Sequence, residues 1–288
     1  MSCRSGIRRR DLAALAWPAS LVAAWPGAVQ AQARVLDAQR PDESPRWLAV
    51  RRSLWADRPI QPATPEQLQV SAPVRAPDPA VVPVGLRSPM GMQPGNDPAR
   101  QVRRLTLVID QNPSPIAAVF ELPPDGALPE LETRLRVDEY SFVRGIAETA
   151  DGQLWQALRY VKASGGCSAP AGGDEAQLAA SLGRMLLRAT PAAPGQPLTL
   201  DWTVQHPNHS GMAMNQATRQ PIPAHYLRSA LLRQGERLLL SADLDFALSE
   251  NPSLRLRFFL RGSDPLRAEV VDTQGARFSA TVRLPEPT

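Results

Sequence analysis

Apolar residues recur along this chain in short alternating runs, cut at intervals by proline, glycine and asparagine, which is the pattern of strands and turns. Between Glu66 and Ser164 the runs Leu68 to Ala72, Ala80 to Leu86, Val102 to Asp110, Ile116 to Leu122, Glu132 to Val137, Tyr140 to Ala147 and Leu154 to Ala163 each predict a strand. So many short strands in about a hundred residues are the mark of an immunoglobulin-like sandwich. Asp110-Gln111-Asn112-Pro113 and Asp151-Gly152 supply turn chemistry between them. A second set, Leu198 to Gln205, Ala224 to Arg233, Arg237 to Asp243, Ser253 to Arg261, Leu266 to Asp272 and Ala276 to Leu284, predicts a second sandwich. There Ser249-Glu250-Asn251-Pro252 echoes the earlier turn tetrapeptide.

Two stretches carry the helical period instead. Ser44-Pro45 offers an N-cap and a first-turn proline, and Trp47, Leu48, Leu54 and Trp55 follow at near-helical spacing. They predict a short helix within 34–65 that packs its tryptophans on the first sandwich. Asp174 to Ala189 has no proline and sets Leu178, Leu182, Met185 and Leu186 on one face, which predicts a connecting helix. Thr190 to Pro197 has the composition of a semi-rigid linker. The expected fold class is all-β: two immunoglobulin-like β-sandwich domains, 66–173 and 198–288, joined by a short helix and a Pro-rich linker over 174–197.

The N-terminus changes how the charge is read. Arg8-Arg9-Arg10, the apolar run Leu12 to Trp17 and small residues up to Ala33 have the order of a signal peptide, expected over 1–33, and Arg9-Arg10-Asp11-Leu12 resembles a twin-arginine signal. Its apolar part is shorter than the roughly 20 residues of a spanning helix, so no membrane span is expected in the mature protein. Removal takes four arginines and one aspartate, and the net charge falls from +4 to +1. No basic block is left to neutralise a row of phosphates, so nucleic acid is not an expected partner. Removal also takes Cys3, leaving Cys167 unpaired in an oxidising compartment, the periplasm.

Cys167 lies in Gly165-Gly166-Cys167-Ser168-Ala169-Pro170, with Gly172-Gly173 beyond it. Gly165, Gly166, Gly172 and Gly173 predict a flexible arm, and a lone exported thiol on such an arm suits chemistry with another molecule. Arg159 and Lys162, the sole lysine, lie upstream and would favour the thiolate if either approached the sulfur, although both read first as solvated strand residues. No Gly-x-Ser-x-Gly elbow, His-Glu-x-x-His or Gly-x-Gly-x-x-Gly occurs, so no catalytic residue is assigned and no cofactor is expected. His206, His209 and His225 match no closed metal site and read as makers of loop hydrogen bonds, with a His-based metal carrier as the rival. A thiol oxidoreductase would lack a resolving cysteine.

Taken in order, Trp47 to Ile60, Val82-Pro83-Val84, Ile109 to Pro115, Tyr140-Ser141 and Gly165-Gly166-Cys167 resemble SoxY. His206-Pro207 with Gly211-Met212, Ile222 to Tyr226, Ser249 to Pro252 and Asp272-Thr273-Gln274-Gly275 resemble SoxZ. The chain is similar to the fused SoxYZ-like carriers of bacterial sulfur oxidation, of the type associated with quinoprotein dehydrogenases. The resemblance implies a non-enzymatic periplasmic carrier in which Cys167 holds sulfur intermediates covalently, with sulfur-oxidation enzymes or a quinoprotein dehydrogenase system as partners. In SoxY the cysteine closes the chain between glycine pairs, whereas here Ser168-Ala169-Pro170 follows it and a whole domain comes after. An accessory module of a dehydrogenase system, carrying no covalent cargo, is the alternative.

Overall fold

The computed structural model describes residues 40–90, 97–170, 172, 175–190, 193, 195–216 and 218–284. The expected signal peptide and Gly173 lie outside the described residues. Helix α1 (Pro45–Trp55) starts on its proline as expected, but Ser44 makes no side-chain capping bond. It buries Trp47, Val50 and Trp55 against Val108, Ile146 and Leu154, so the tryptophans pack on the sandwich. Leu48 and Leu54, expected on the same face, are exposed. The two indole rings, 6.2 Å apart, fill the strip that faces the sheet and leave the leucines at its flanks.

The first half contributes β1 (Ile60–Pro62), β2 (Gln69–Ser71), β3 (Val82–Arg87), β4 (Val102–Ile109), β5 (Ile116–Glu121), β6 (Glu130–Leu135), β7 (Ser141–Thr149) and β8 (Leu154–Val161). After α2 (Glu175–Ser181) come β9 (Met185–Thr190), β10 (Leu198–Val204), β11 (Leu227–Gln234), β12 (Arg237–Leu244), β13 (Ser253–Phe258), β14 (Leu266–Asp272) and β15 (Arg277–Val282). The architecture is all-β with immunoglobulin-like halves, and the halves join edge to edge. One sheet runs β1-β8-β7-β4-β5-β12-β11-β14-β15 and the other β2-β3-β6-β13-β10-β9. The joins are antiparallel pairings of β5 with β12, Ser241 opposite Glu121 to Leu244 opposite Ala118, and of β6 with β13, Leu254 opposite Thr133 to Leu256 opposite Leu131. One core runs through both halves, from Leu86, Leu107 and Phe120 to Leu200, Leu240 and Phe258.

The connecting helix is shorter than expected. It stops at Ser181, and Met185–Thr190, with 185–189 expected as helix and Thr190 as the start of the linker, forms an edge strand on β10. Gly183 forces the change: its φ is +78°, a Cβ there would lie 1.9 Å from the Phe278 ring, and its amide donates to the Gln205 carbonyl at 2.8 Å. Beyond it exposure alternates residue by residue, with Met185, Leu187 and Ala189 on the core and Leu186 in solvent. The Leu178, Leu182, Met185 and Leu186 face therefore mixes two periods. Among the described residues, no helix is long and apolar enough to cross a membrane.

Candidate functional site

Beyond β8 the chain turns inward and lies across the end of the first half, against residues 136–138 after β6. Gly165, at φ +84°, donates its amide to the Asp138 carbonyl at 2.8 Å, and the Gly166 amide donates to the Val137 carbonyl at 3.0 Å. Position 166 needs glycine for space. A Cβ there would lie 2.1 Å from the Pro79 carbonyl oxygen and 2.7 Å from the Val137 nitrogen. The next residue, Cys167, is fully buried, and its amide donates to Asp138 Oδ1 at 3.3 Å.

The rest of the segment is held largely from the second half. Ser210 Oγ donates to the Cys167 carbonyl, and the Gly172 amide donates to Glu250 Oε2 at 2.6 Å. Arg136 bridges the halves: Nη1 donates to the Ala169 carbonyl at 3.1 Å, while Nη2 reaches the carbonyls of Pro207 and Asn208 at 3.4 Å. The cysteine thus sits in the seam, clamped by both halves.

The two turn tetrapeptides prove to be the braces of that seam. Asn112, buried, donates Nδ2 to the Arg136 carbonyl at 2.8 Å and accepts the Asp138 amide on Oδ1 at 2.9 Å. In the other half Ser249 Oγ donates to the Ala80 carbonyl at 2.7 Å, and Asn251 Oδ1 accepts the His206 amide at 3.1 Å. Each motif fixes one wall of the cysteine site through its asparagine, which serves here as a hydrogen-bonding plug.

Electrostatics keep the thiol closed and neutral. Burial pushes the Cys167 pKa up to about 12, Asp138 and then Asp245 add to the rise, and Arg136 opposes it. Arg159 and Lys162 are exposed, and neither acts on the sulfur; the cation that does is Arg136. Arg136, Asp138 and Ser210 escape the sequence reading. Arg136 follows a strand whose inward positions are Leu131, Thr133 and Leu135, so nothing in its spacing marks it as buried.

His206 and His225 meet edge to face, 4.6 Å between ring centres, around the buried Asp272. His225 Nε2 lies 2.8 Å from Asp272 Oδ2 and His206 Nε2 3.8 Å from the same oxygen. His209 joins them through its backbone carbonyl, which accepts the His225 amide at 3.0 Å. Burial, then His225, lowers the His206 pKa to about 4, so the ring is neutral. Its Nδ1 accepts the Asn208 amide at 3.0 Å, which leaves the proton on Nε2. A metal ion could take that Nε2 only by breaking the Asn208 turn, whereas metal-bound imidazoles donate from their other nitrogen. The trio therefore shapes the 206–210 loop. Asn208, at φ +48°, completes the job by donating Nδ2 to the Leu248 carbonyl at 2.7 Å and accepting the Leu227 amide at 3.0 Å.

Comparison with known proteins fits this division of the chain. The family model for "Sulfur oxidation protein SoxY" matches residues 51–167, ending on the cysteine, and that for "Sulphur oxidation protein SoxZ" matches 187–283. No curated protein matches the chain. Among solved structures, the sulfur carrier protein SoxY from Chlorobium limicola f thiosulfatophilum is 23% identical, covering 46% of this chain and 97% of that one at a TM-score of 0.34. A superoxide reductase (neelaredoxin) from Ignicoccus hospitalis is 16% identical, covering 34% and 81% at a TM-score of 0.29. With one family model running up to Cys167 and the other covering most of the second half, the chain belongs to the SoxY and SoxZ sulfur-oxidation families as a fused SoxYZ-like protein.

Proposed function

We propose that the protein is a carrier that holds sulfur intermediates covalently on Cys167 and presents them to partner enzymes, which perform the chemistry. The observation that carries this reading is the place of the thiol. Cys167 is the free cysteine among the described residues, it ends the SoxY match, and it lies on a glycine-entered segment clamped in the seam. The clamped segment is the resting state, because a thiol with a pKa of about 12 offers almost no thiolate at neutral pH. Release of the segment into solvent returns the thiol towards the ordinary cysteine range of about 8.5. The thiolate then attacks the sulfur of an activated sulfur compound. A new S–S bond forms, and the group previously bound to that sulfur leaves with the bonding electron pair. Gly165, Gly166, Gly172 and Gly173 serve the release as hinges.

The reading includes export to the periplasm through cleavage near Ala33 by a signal of twin-arginine or general type, and partners among sulfur-oxidation enzymes or a quinoprotein dehydrogenase system. Intact mass of protein isolated from its native compartment should show both the shortened N-terminus and a discrete sulfur adduct at Cys167. The adduct should vanish in Cys167→Ser together with sulfur-compound turnover. Turnover equal to the unsubstituted protein would refute the carrier role. A dependent dehydrogenase that tolerates Cys167→Ala would favour an accessory module instead.

A further inference from the structure

Arg136 stands out among the residues around Cys167 because no carboxylate bonds it directly, Glu250 and Asp78 acting on it only at longer range. Its side chain is 1% exposed, yet it belongs to no ion pair among the described residues, and its Nε donates to nothing. A buried guanidinium is costly unless paired. The nearby carboxylates are engaged elsewhere: Asp138 with the Cys167 amide, Glu250 with the Gly172 amide, and Asp78 with the Ala80 amide at 2.8 Å. The poorly served atoms are Nε and Nη2, the latter with its two long 3.4 Å contacts to neutral carbonyls. These two nitrogens form the side-on edge of the guanidinium, the edge that pairs with two oxygens of one anion. Nη1, on the other side, holds the cysteine segment through Ala169.

We propose that Arg136 is the receptor for an anionic sulfonyl group on the sulfur species delivered to, or carried by, Cys167. Such a group takes the Nε and Nη2 edge and displaces the Pro207 and Asn208 carbonyls, because an ionised acceptor outcompetes a neutral one. Those carbonyls belong to the loop that carries Ser210, so occupation of the receptor also loosens the clamp on the Cys167 carbonyl. The inference rests on the carrier reading and assigns the recognition of the cargo's oxyanion end to one residue of this chain.

Two thiol reagents of different charge test it on the full chain. Anionic 2-sulfonatoethyl methanethiosulfonate and uncharged methyl methanethiosulfonate react alike. The Cys167 thiolate attacks the sulfenyl sulfur, a disulfide forms, and methanesulfinate leaves with the electron pair. The readout is the anionic-to-neutral rate ratio, normalised to free cysteine. It should fall about tenfold or more in Arg136→Gln, the range of a lost hydrogen bond to a charged group, and less in Arg136→Lys. A purely structural arginine would change both rates together and leave the ratio where it was, which overturns the proposal. Should Arg136→Gln fail to fold, sulfate against chloride at equal ionic strength must lower the ratio in the unsubstituted protein, and a ratio insensitive to sulfate overturns it as well. Neither result depends on sulfur-compound turnover, so failure of the carrier reading would show separately in the Cys167→Ser comparison.

Discussion

Replacing Gly166 by alanine should open the cysteine segment without unfolding the protein. The new Cβ would lie 2.1 Å from the Pro79 carbonyl oxygen and 2.7 Å from the Val137 nitrogen, and both are backbone atoms. They are bonded to each other, Val137 N–H to Pro79 O at 2.8 Å, so neither can retreat without breaking the wall itself. Overpacking of this kind costs about 1–3 kcal/mol, and here the strain falls on the closed segment alone. A shift of about 2 kcal/mol multiplies the open population roughly 30-fold. Modification follows that population while reclosing outruns it, so iodoacetamide labelling of Cys167 at pH 8 should accelerate about 10- to 100-fold. Gly165→Ala meets no close neighbour and is strained only by its φ of +84°, so at about 1 kcal/mol it should accelerate labelling less. Urea unfolding measured beside the labelling separates local from global opening. An unchanged labelling rate, or an acceleration that matches a fall in global stability, would refute the reasoning.

Three further outcomes test the braces around the site. Arg144 is fully buried, bound through Nε to both Asp110 oxygens at 2.8 and 2.9 Å and stacked 4.2 Å over Trp47. Arg144→Met should cost about 3–5 kcal/mol in urea unfolding by removing the buried cation that Asp110 binds, and adding Asp110→Asn should recover part of it. The His206 pKa, about 4 in the fold against an ordinary 6.5, contributes stability that is present above 6.5 and lost as pH falls through 4. His206→Asn, which can keep an acceptor for the Asn208 amide, should flatten melting temperature across that window. Burial raises the Asp245 pKa to about 6, so the stability linked to its protonated form is full below 3.8 and lost as pH rises through 6. Asp245→Asn should therefore raise the melting temperature at pH 8, by the equivalent of order 1 kcal/mol for a partly exposed carboxyl, and not at pH 4.

Most strands are legible because alternation over β10 or β14, and the short run of β-formers between turn signals that makes up the doubly buried β7, are local properties. Met185–Thr190 is not, because its leucines satisfy the helical period with Leu178 and Leu182 as well as the strand period, and the arbiter is a contact between Gly183 and the distant Phe278. β1 is hidden in the segment with the helical period, since Ile60–Pro62 is three residues long and owes its pairing to β8. Cys167 is legible through its isolation and its glycines, but its burial is not. That burial depends on Asn112, Asp138 and Ser210, which come from three separate loops. The joins of β5 to β12 and β6 to β13 likewise leave no local trace, because any alternating strand could have ended its sheet there.

The shared sheets change what a carrier segment can do. Where a cysteine ends a chain, its reach is set by the length of the tail. Here the halves on either side of the segment are joined through two antiparallel strand pairings and one core, so neither can swing away to lengthen it. Ala163 is packed on that core, and Cys167 lies four residues beyond it. At roughly 3.4 Å per extended residue the sulfur-bearing residue travels at most about 14 Å from its anchor. A partner active site deeper than this is out of reach unless the partner brings its entrance to the seam. The surface such a partner must approach includes the 206–210 loop and Glu250, which belong to the SoxZ half and hold the segment shut. Fusion thus places the clamp and the thiol on one continuous pair of sheets, with the groups that hold the segment shut, Ser210 and Glu250, supplied by the SoxZ half.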